Sequence, residues 1–211
     1  MGQKTNPVGF RTGITENWSS RWFAKGEDYS RQVLEDKKLR NFLQKRLSGA
    51  GLHKIEIERS IASLKIILYV SRPGVVIGRG GTGIEELKEN LKKMTTDKLE
   101  VAVEEIKVPE ISARLIADSI ARQIERRIHY KRAMVAAAER AMERGAKGVK
   151  IIIGGVLGGA SSISRKDKIV KGSVPSQTLR AKIEFAREAA QTAYGNIGIK
   201  VWVYLGESAG F

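Results

Sequence analysis

The chain has 211 residues, 42% of them hydrophobic, which is enough apolar material for one large domain or two small ones and excludes wholesale disorder. Lys and Arg total 38 against 23 Asp and Glu, a formal charge of +15, so the chain calls for a polyanion, and nucleic acid is the commonest large one in cells. No apolar stretch reaches the roughly 18 residues of a spanning helix, no single helix sets its charge opposite a Trp/Phe/Leu face, and the absence of cysteine removes disulfides and thiolate metal sites.

Residues 1–26 hold four glycines, Trp18, Trp22 and Phe23, show little periodicity, and are expected to form an extended arm. The start, Met1-Gly2-Gln3-Lys4-Thr5, lacks the apolar core of a secretory signal, and Asn6 stands where a myristoylation motif wants Ser or Thr. A cytoplasmic protein is expected. Leu39, Phe42, Leu43 and Leu47 share a face of a helix predicted over 28–47, with Gly49 and Gly51 to end it. Ile55 and Ile57 then alternate with Glu56 and Glu58, and Leu64, Ile66, Leu68 and Val70 alternate around Lys65 and Tyr69, which predicts two strands. Arg72-Pro73-Gly74 breaks the second strand. A short apolar step leads into the glycine run Gly78-Arg79-Gly80-Gly81-Thr82-Gly83, followed by a helix with Ile84, Leu87, Leu91 and Met94 inward. Leu99, Val101 and Val103 make a third strand, and Pro109 marks a boundary.

The second half opens with one long predicted helical region. Ile111, Leu115, Ile120, Ile124 and Ile128 form its stripe, and the alanine run 133–142 carries it to a stop at Gly145. Strands are expected over 149–153, 163–170, 179–185 and 197–205. Both halves therefore belong to the α+β class.

The glycine run is the sharpest chemical feature. Gly78-x-Gly80-x-x-Gly83 matches a dinucleotide fingerprint, with Glu104 about 20 residues on. Only three apolar residues precede the first glycine, however, and two strands come before it where a fingerprint strand should open the unit. Gly78-Arg79-Gly80-Gly81 also forms a GXXG loop between two short helices. Glycines there admit a sugar–phosphate chain closely, helix N-termini offer N–H donors, and Arg79 suits phosphate. The order helix–strand–strand–helix–helix–strand around this loop resembles the type II KH arrangement, which clamps about four nucleotides of single strand.

Two further basic clusters stand out. On one continuous helix Arg122 would face Arg126, and Arg127 would face Lys131 beside Arg132; such like-charge pairs ask for an anion, although Glu125 could partly serve. Arg165-Lys166-Asp167-Lys168, with Lys171, is expected in a loop or hairpin, where it could equally be a solubilising surface. The stretch 154–159 is glycine-rich but carries no basic residue and is expected to be a strand end or bulge. His53 and His129 match no metal or triad spacing and no P-loop lysine occurs, so no enzyme and no cofactor is expected. The carboxylates at 56/58 and 104/105 are expected on exposed strand faces.

Several segments resemble the third small-subunit ribosomal protein of bacteria. They are Met1-Gly2-Gln3-Lys4 with Pro7, Gly9, Arg11 and Gly13; Trp22-Phe23-Ala24; the run from Arg72 to Gly78; Ala117-Asp118-Ser119-Ile120; Gly145-Ala146-Lys147-Gly148; Thr178-Leu179-Arg180-Ala181; and Tyr194-Gly195 with Lys200-Val201-Trp202. The resemblance implies an rRNA-contacting arm at 1–26, a KH type II domain at 27–108, and at 109–211 a second α+β domain with helices on a mostly antiparallel sheet. It implies a place in the head of the small subunit, with rRNA, mRNA and neighbouring ribosomal proteins as partners, and neither a membrane nor a small-molecule substrate. Lys131 and Arg132 fall on two of the family's basic positions where mRNA enters, while Val135 stands on the third. Gly78, Arg79, Gly80 and Gly81 are expected to hold RNA, with Lys4, Arg11, Arg72, Arg126, Arg127, Arg165, Lys166 and Lys168 as further contacts. A free-standing KH factor outside the ribosome is the alternative.

Overall fold

The computed structural model describes residues 4–60, 63–95, 97–158 and 163–207. The chain divides into two compact units, Trp18–Lys107 and Met1–Asn17 with Val108–Phe211. The segment 1–26 is thus shared between them, and its described part is not simply extended. Asn6 accepts from the N–H groups of Val8 and Gly9 and so caps α1 (Pro7–Arg11). β1 (Ser20–Arg21) pairs in parallel with β2 (Leu52–Arg59).

The central unit continues with α2 (Gly26–Arg46), β2, β3 (Ser63–Val70), α3 (Pro73–Ile77), α4 (Thr82–Lys92) and β4 (Lys98–Glu105). Its sheet has the order β1-β2-β3-β4, with β2 antiparallel to β3 and β3 parallel to β4. Alternation places Ile55, Ile57, Leu64, Ile66 and Leu68 on one face, where they are buried with Leu39 and Leu43 of α2 and Leu87 and Leu91 of α4. The other face carries Lys54, Glu56, Glu58 and Lys65, whose charges pair with one another and with Arg21. Glu56, expected to be exposed, is instead 6% exposed, because Lys54 (2.8 Å) and Arg21 (3.4 Å) close over it. Burial alone would raise its pKa; Lys54 and Arg21 outweigh that and hold the carboxyl below its usual value.

Asp36 of α2 is the buried hub of this unit. It accepts from Ser20 Oγ (3.1 Å), Trp22 Nε1 (2.9 Å) and both Nε (3.0 Å) and Nη2 (2.8 Å) of Arg59. Arg59 also reaches Glu35 at 3.1 Å and Asp97 at 3.3 Å. One charge cluster therefore ties the segment around β1, α2, β2 and the start of β4 together.

The second unit holds α1, α5 (Ala113–Glu125), α6 (Tyr130–Glu143), β5 (Gly148–Gly155), β6 (Arg165–Gly172), β7 (Ala181–Thr192) and β8 (Gly195–Glu207). The sheet is antiparallel throughout, in the order β6-β5-β8-β7. Both helices cover one face, burying Val149, Ile151, Ile153, Ile199, Val201 and Val203. Gly154 and Gly155 end β5, as a strand-end assignment requires; Gly159 lies outside the described residues.

The expected single long helix is two. Arg127 adopts a left-handed φ of +62°, its N–H bonds to the Ile124 carbonyl, and the Ile128 N–H bonds to the Gln123 carbonyl. That is a Schellman ending, with arginine where glycine is usual. Gly145 ends α6 with the same pair of bonds, to Met142 and Ala141. The second ending is legible in sequence; the first is not.

Asp118 stands on α5, 3.5 Å from Arg114. Burial pushes its carboxyl up to about 6, against the pull of Arg114 and with an added push from Glu188. Between its ordinary value of 3.8 and about 6, the folded chain keeps a proton that the unfolded chain has released. Stability therefore falls as pH rises through that window. Asp118→Asn is expected to raise the stability of this unit at neutral pH by up to about 3 kcal/mol and to flatten the dependence between pH about 4 and about 6. Melting curves at both ends of the window check it; an unchanged curve at neutral pH contradicts it.

Candidate nucleic-acid interface

The loop between α3 and α4 is built by glycine chemistry at every step. Gly78, Gly80 and Gly81 have φ of +74°, +64° and +86°, in a region side-chain-bearing residues rarely adopt. Two glycines also permit a close crossing. A Cβ on Gly78 would stand 2.8 Å from the Gly83 nitrogen, and one on Gly83 would stand 2.8 Å from the Val76 carbonyl oxygen. The end of α3 and the start of α4 thus touch backbone to backbone. Around Gly80 and Gly81 a Cβ would meet nothing within 4 Å, so the tip of the loop faces open space.

That tip is suited to phosphate. α4 starts at Gly81 without a side-chain cap; the Thr82 N–H donates to the Arg79 carbonyl, and the positive end of the helix dipole still faces the tip. Arg79 is exposed at the tip, and Arg72 is exposed at the start of α3. Val75 and Ile77 are 60% and 40% exposed and add apolar surface beside the loop. A dinucleotide fingerprint needs a strand running into its first glycine. The residues before Gly78 are helical instead, and the loop is the GXXG element of a helix–loop–helix.

The other candidates divide. Arg126 closes α5, Arg127 sits in the left-handed turn, and Lys131 and Arg132 begin a separate helix. Arg126 keeps its place one turn after Arg122, with its N–H on the Arg122 carbonyl (3.1 Å), but the break at Arg127 removes the expected stacking of Arg127 on Lys131. Lys131 and Arg132 are exposed in the first turn of α6, which has no acidic residue and no side-chain cap. Cations at that positive end of the helix dipole are unfavourable, so neither is placed there for helix stability. Val135 lies one turn on, 38% exposed.

Arg11 is a correction. It is fully buried, with Nη1 donating to the Pro7 carbonyl (2.9 Å) and Nη2 to those of Ser176 (3.1 Å) and Thr178 (2.6 Å). Burial lowers its pKa while Glu16 opposes that, and its role is to anchor α1 beside β7 rather than to meet RNA. The run 165–168 opens β6, the strand that pairs antiparallel with β5, which is the hairpin alternative. Lys166 and Lys168 point to the face turned away from α5 and α6; Asp167 points to α6 and accepts from Tyr130 Oη at 2.7 Å. Lys4 is exposed on the N-terminal segment. Sequence reasoning passes over Lys150, Arg187 and Lys200, isolated cations in strands, which only period-two alternation across the sheet would have grouped.

Residues 38–111 match the KH domain family, and residues 120–203 match the family described as ribosomal protein S3, C-terminal domain. Small ribosomal subunit protein uS3 of Caldanaerobacter subterraneus subsp. tengcongensis is 48% identical over 207 residues, covering 98% of this chain and 93% of that protein. The chain belongs to the uS3 family of small ribosomal subunit proteins. The uS3 protein of Caldicellulosiruptor bescii is 46% identical, over 98% of this chain and 93% of its own length. That of Polynucleobacter asymbioticus is 47% identical over 210 residues, or 76% of its length. This is a family of ribosomal proteins and not of enzymes.

Proposed function

We propose that the protein is a structural constituent of the small ribosomal subunit, working on the ribosome in the cytoplasm, and that it binds rRNA of the subunit head and lines the path by which mRNA enters. The observation that carries this is the loop Gly78–Gly81, where three left-handed glycines, an uncapped helix start and Arg79 converge on open space. Such a loop takes a sugar–phosphate backbone without reading bases, which suits a scaffold for RNA of fixed position. Arg72, Arg79 and the N-terminal segment with Lys4 serve as rRNA contacts, and neighbouring ribosomal proteins complete the setting.

Lys131 and Arg132 meet the phosphates of incoming mRNA. Their exposure at a helix start that disfavours cations supports this role. Steric and electrostatic grip on one strand would help to open structured mRNA. Val135, on the same side of α6, makes that grip weaker than three cations would. Lys131→Ala/Arg132→Ala is expected to slow translation through a stable mRNA hairpin several-fold more than through an unstructured message, since each lost phosphate contact removes part of a purely electrostatic hold. Equal slowing of both messages would contradict the assignment.

A further inference from the structure

The sheet of the second unit has one face that α5 and α6 leave uncovered, with α1 beside its β7 end, and its side chains are sorted by charge. Register places Lys168 opposite Ile152, Ile152 opposite Lys200, and Lys200 opposite Arg187, so one rung crosses all four strands and carries cations on three. The next rung is Val170, Lys150, Trp202 and Phe185. There Lys150 Nζ lies 5.2 Å from the centre of the Trp202 ring, which also packs on Phe185 at 5.0 Å. On the other side the rung is Lys166, Gly154, Gly198 and Ala189, a floor nearly free of side chains beside the cations. Lys4 reaches the same face and, with Lys168, crowds Lys150; burial first and these two neighbours next lower the Lys150 pKa.

The carboxylates of these strands go the other way. Asp167 bonds Tyr130, Glu184 accepts from the Ala113 N–H, and Glu188 pairs with Arg114 at 2.8 Å, all toward α5 and α6. Glu207 stands apart at the far end of β8, opposite Ala181. Among the described residues, none of the six cations has a carboxylate partner, whereas Lys171 on the helix side of β6 pairs with Glu139 at 2.8 Å. The open face of the central sheet is the contrast, since there Glu56 and Glu58 neutralise Arg21, Lys54 and Lys65.

We propose that the face of the C-terminal sheet turned away from α5 and α6 is a second RNA-binding surface, on which Lys4, Lys150, Lys166, Lys168, Arg187 and Lys200 take the phosphates of RNA laid across the strands. It rests on the protein's being an rRNA binder and adds a surface on the other unit from the KH loop. RNA fits better than a protein partner because protein interfaces deplete lysine at their centre and need apolar anchors. Here the centre is cationic, and Trp202 and Phe185 are half-buried against each other and under Lys150. The cation rung spans three strand spacings, about 14 Å, and successive cations along β6 are about 6.7 Å apart, so several phosphates are met at once.

The test uses the full-length protein with two probes, a 20-nucleotide oligouridylate and an RNA duplex of about 20 base pairs, over a range of salt. Lys168→Gln/Arg187→Gln/Lys200→Gln removes three exposed charges and should make the slope of log affinity against log salt shallower by about 2–3, with about a tenfold loss of affinity near 0.15 M salt. A larger effect on one probe shows which form of RNA the face takes. A charge-matched control, Lys37→Gln/Lys38→Gln/Lys45→Gln on α2, should change the slope far less. Should the triple variant fold poorly, Lys166→Gln/Lys168→Gln on the edge strand should lower the slope by about 1.4–1.8. Equal shifts in sheet variant and control would reduce the effect to net charge and overturn the proposal. An unchanged slope in the sheet variant, with binding still weakened by substitution of Arg79 and Gly80, would also overturn it and leave the face to an acidic protein neighbour. Wild-type affinity without salt dependence would instead overturn the rRNA-binding function itself.

Discussion

Arg59→Met is expected to lower the stability of the central unit by about 3–5 kcal/mol, the usual loss when one partner of a buried ion pair is removed. The side chain of Arg59 is only 4% exposed and that of Asp36 only 7%. Methionine fills similar volume, so the loss comes from charge rather than from a cavity. Asp36 would keep its bonds from Ser20 and Trp22 but lose both guanidinium contacts, and Glu35 and Asp97 would lose their shared cation. Urea titration followed by hydrogen exchange of the β2–β3 ladder measures this. A loss below about 1 kcal/mol would mean that the cluster behaves like exposed surface pairs.

The second large effect concerns RNA. Arg79→Asp/Gly80→Asp should leave the fold intact, because Arg79 is exposed, a Cβ on Gly80 would meet nothing within 4 Å, and aspartate tolerates a left-handed φ better than most residues. It replaces a phosphate donor with two repelling charges. A charge-assisted hydrogen bond contributes about 1.5–3 kcal/mol, so affinity for single-stranded RNA should fall roughly 10- to 100-fold. Unchanged affinity in a variant with a native melting curve would mean that the loop does not clamp RNA in this protein.

The architecture of the central unit was legible because two physical signals coincide there. Period-two alternation at 55–58 and 64–70 marks the hairpin, and a glycine run between two apolar steps marks the loop. The break at Arg127 was not legible, since an arginine in the left-handed region leaves no mark and the apolar stripe continues to Ile128. The burial of Arg11 was equally hidden: its partners are carbonyls near Ser176 and Thr178, far along the chain. Glu56 misled for a related reason, because alternation assigns a face but cannot show that Arg21, Lys54 and Tyr69 will cover it. The cationic sheet face lies between these cases. Each strand displays its alternation, but only the pairing of four strands brings residues 150, 168, 187 and 200 onto one surface.

The central claim is that the loop at Gly78–Gly81 meets RNA in the assembled subunit. A photo-crosslinking residue placed at position 80, in intact small subunits carrying this chain, tests it most directly. RNA adducts mapped to that position, in rRNA or in mRNA, are the predicted result. Adducts to protein alone, in subunits that assemble and translate normally, would contradict it.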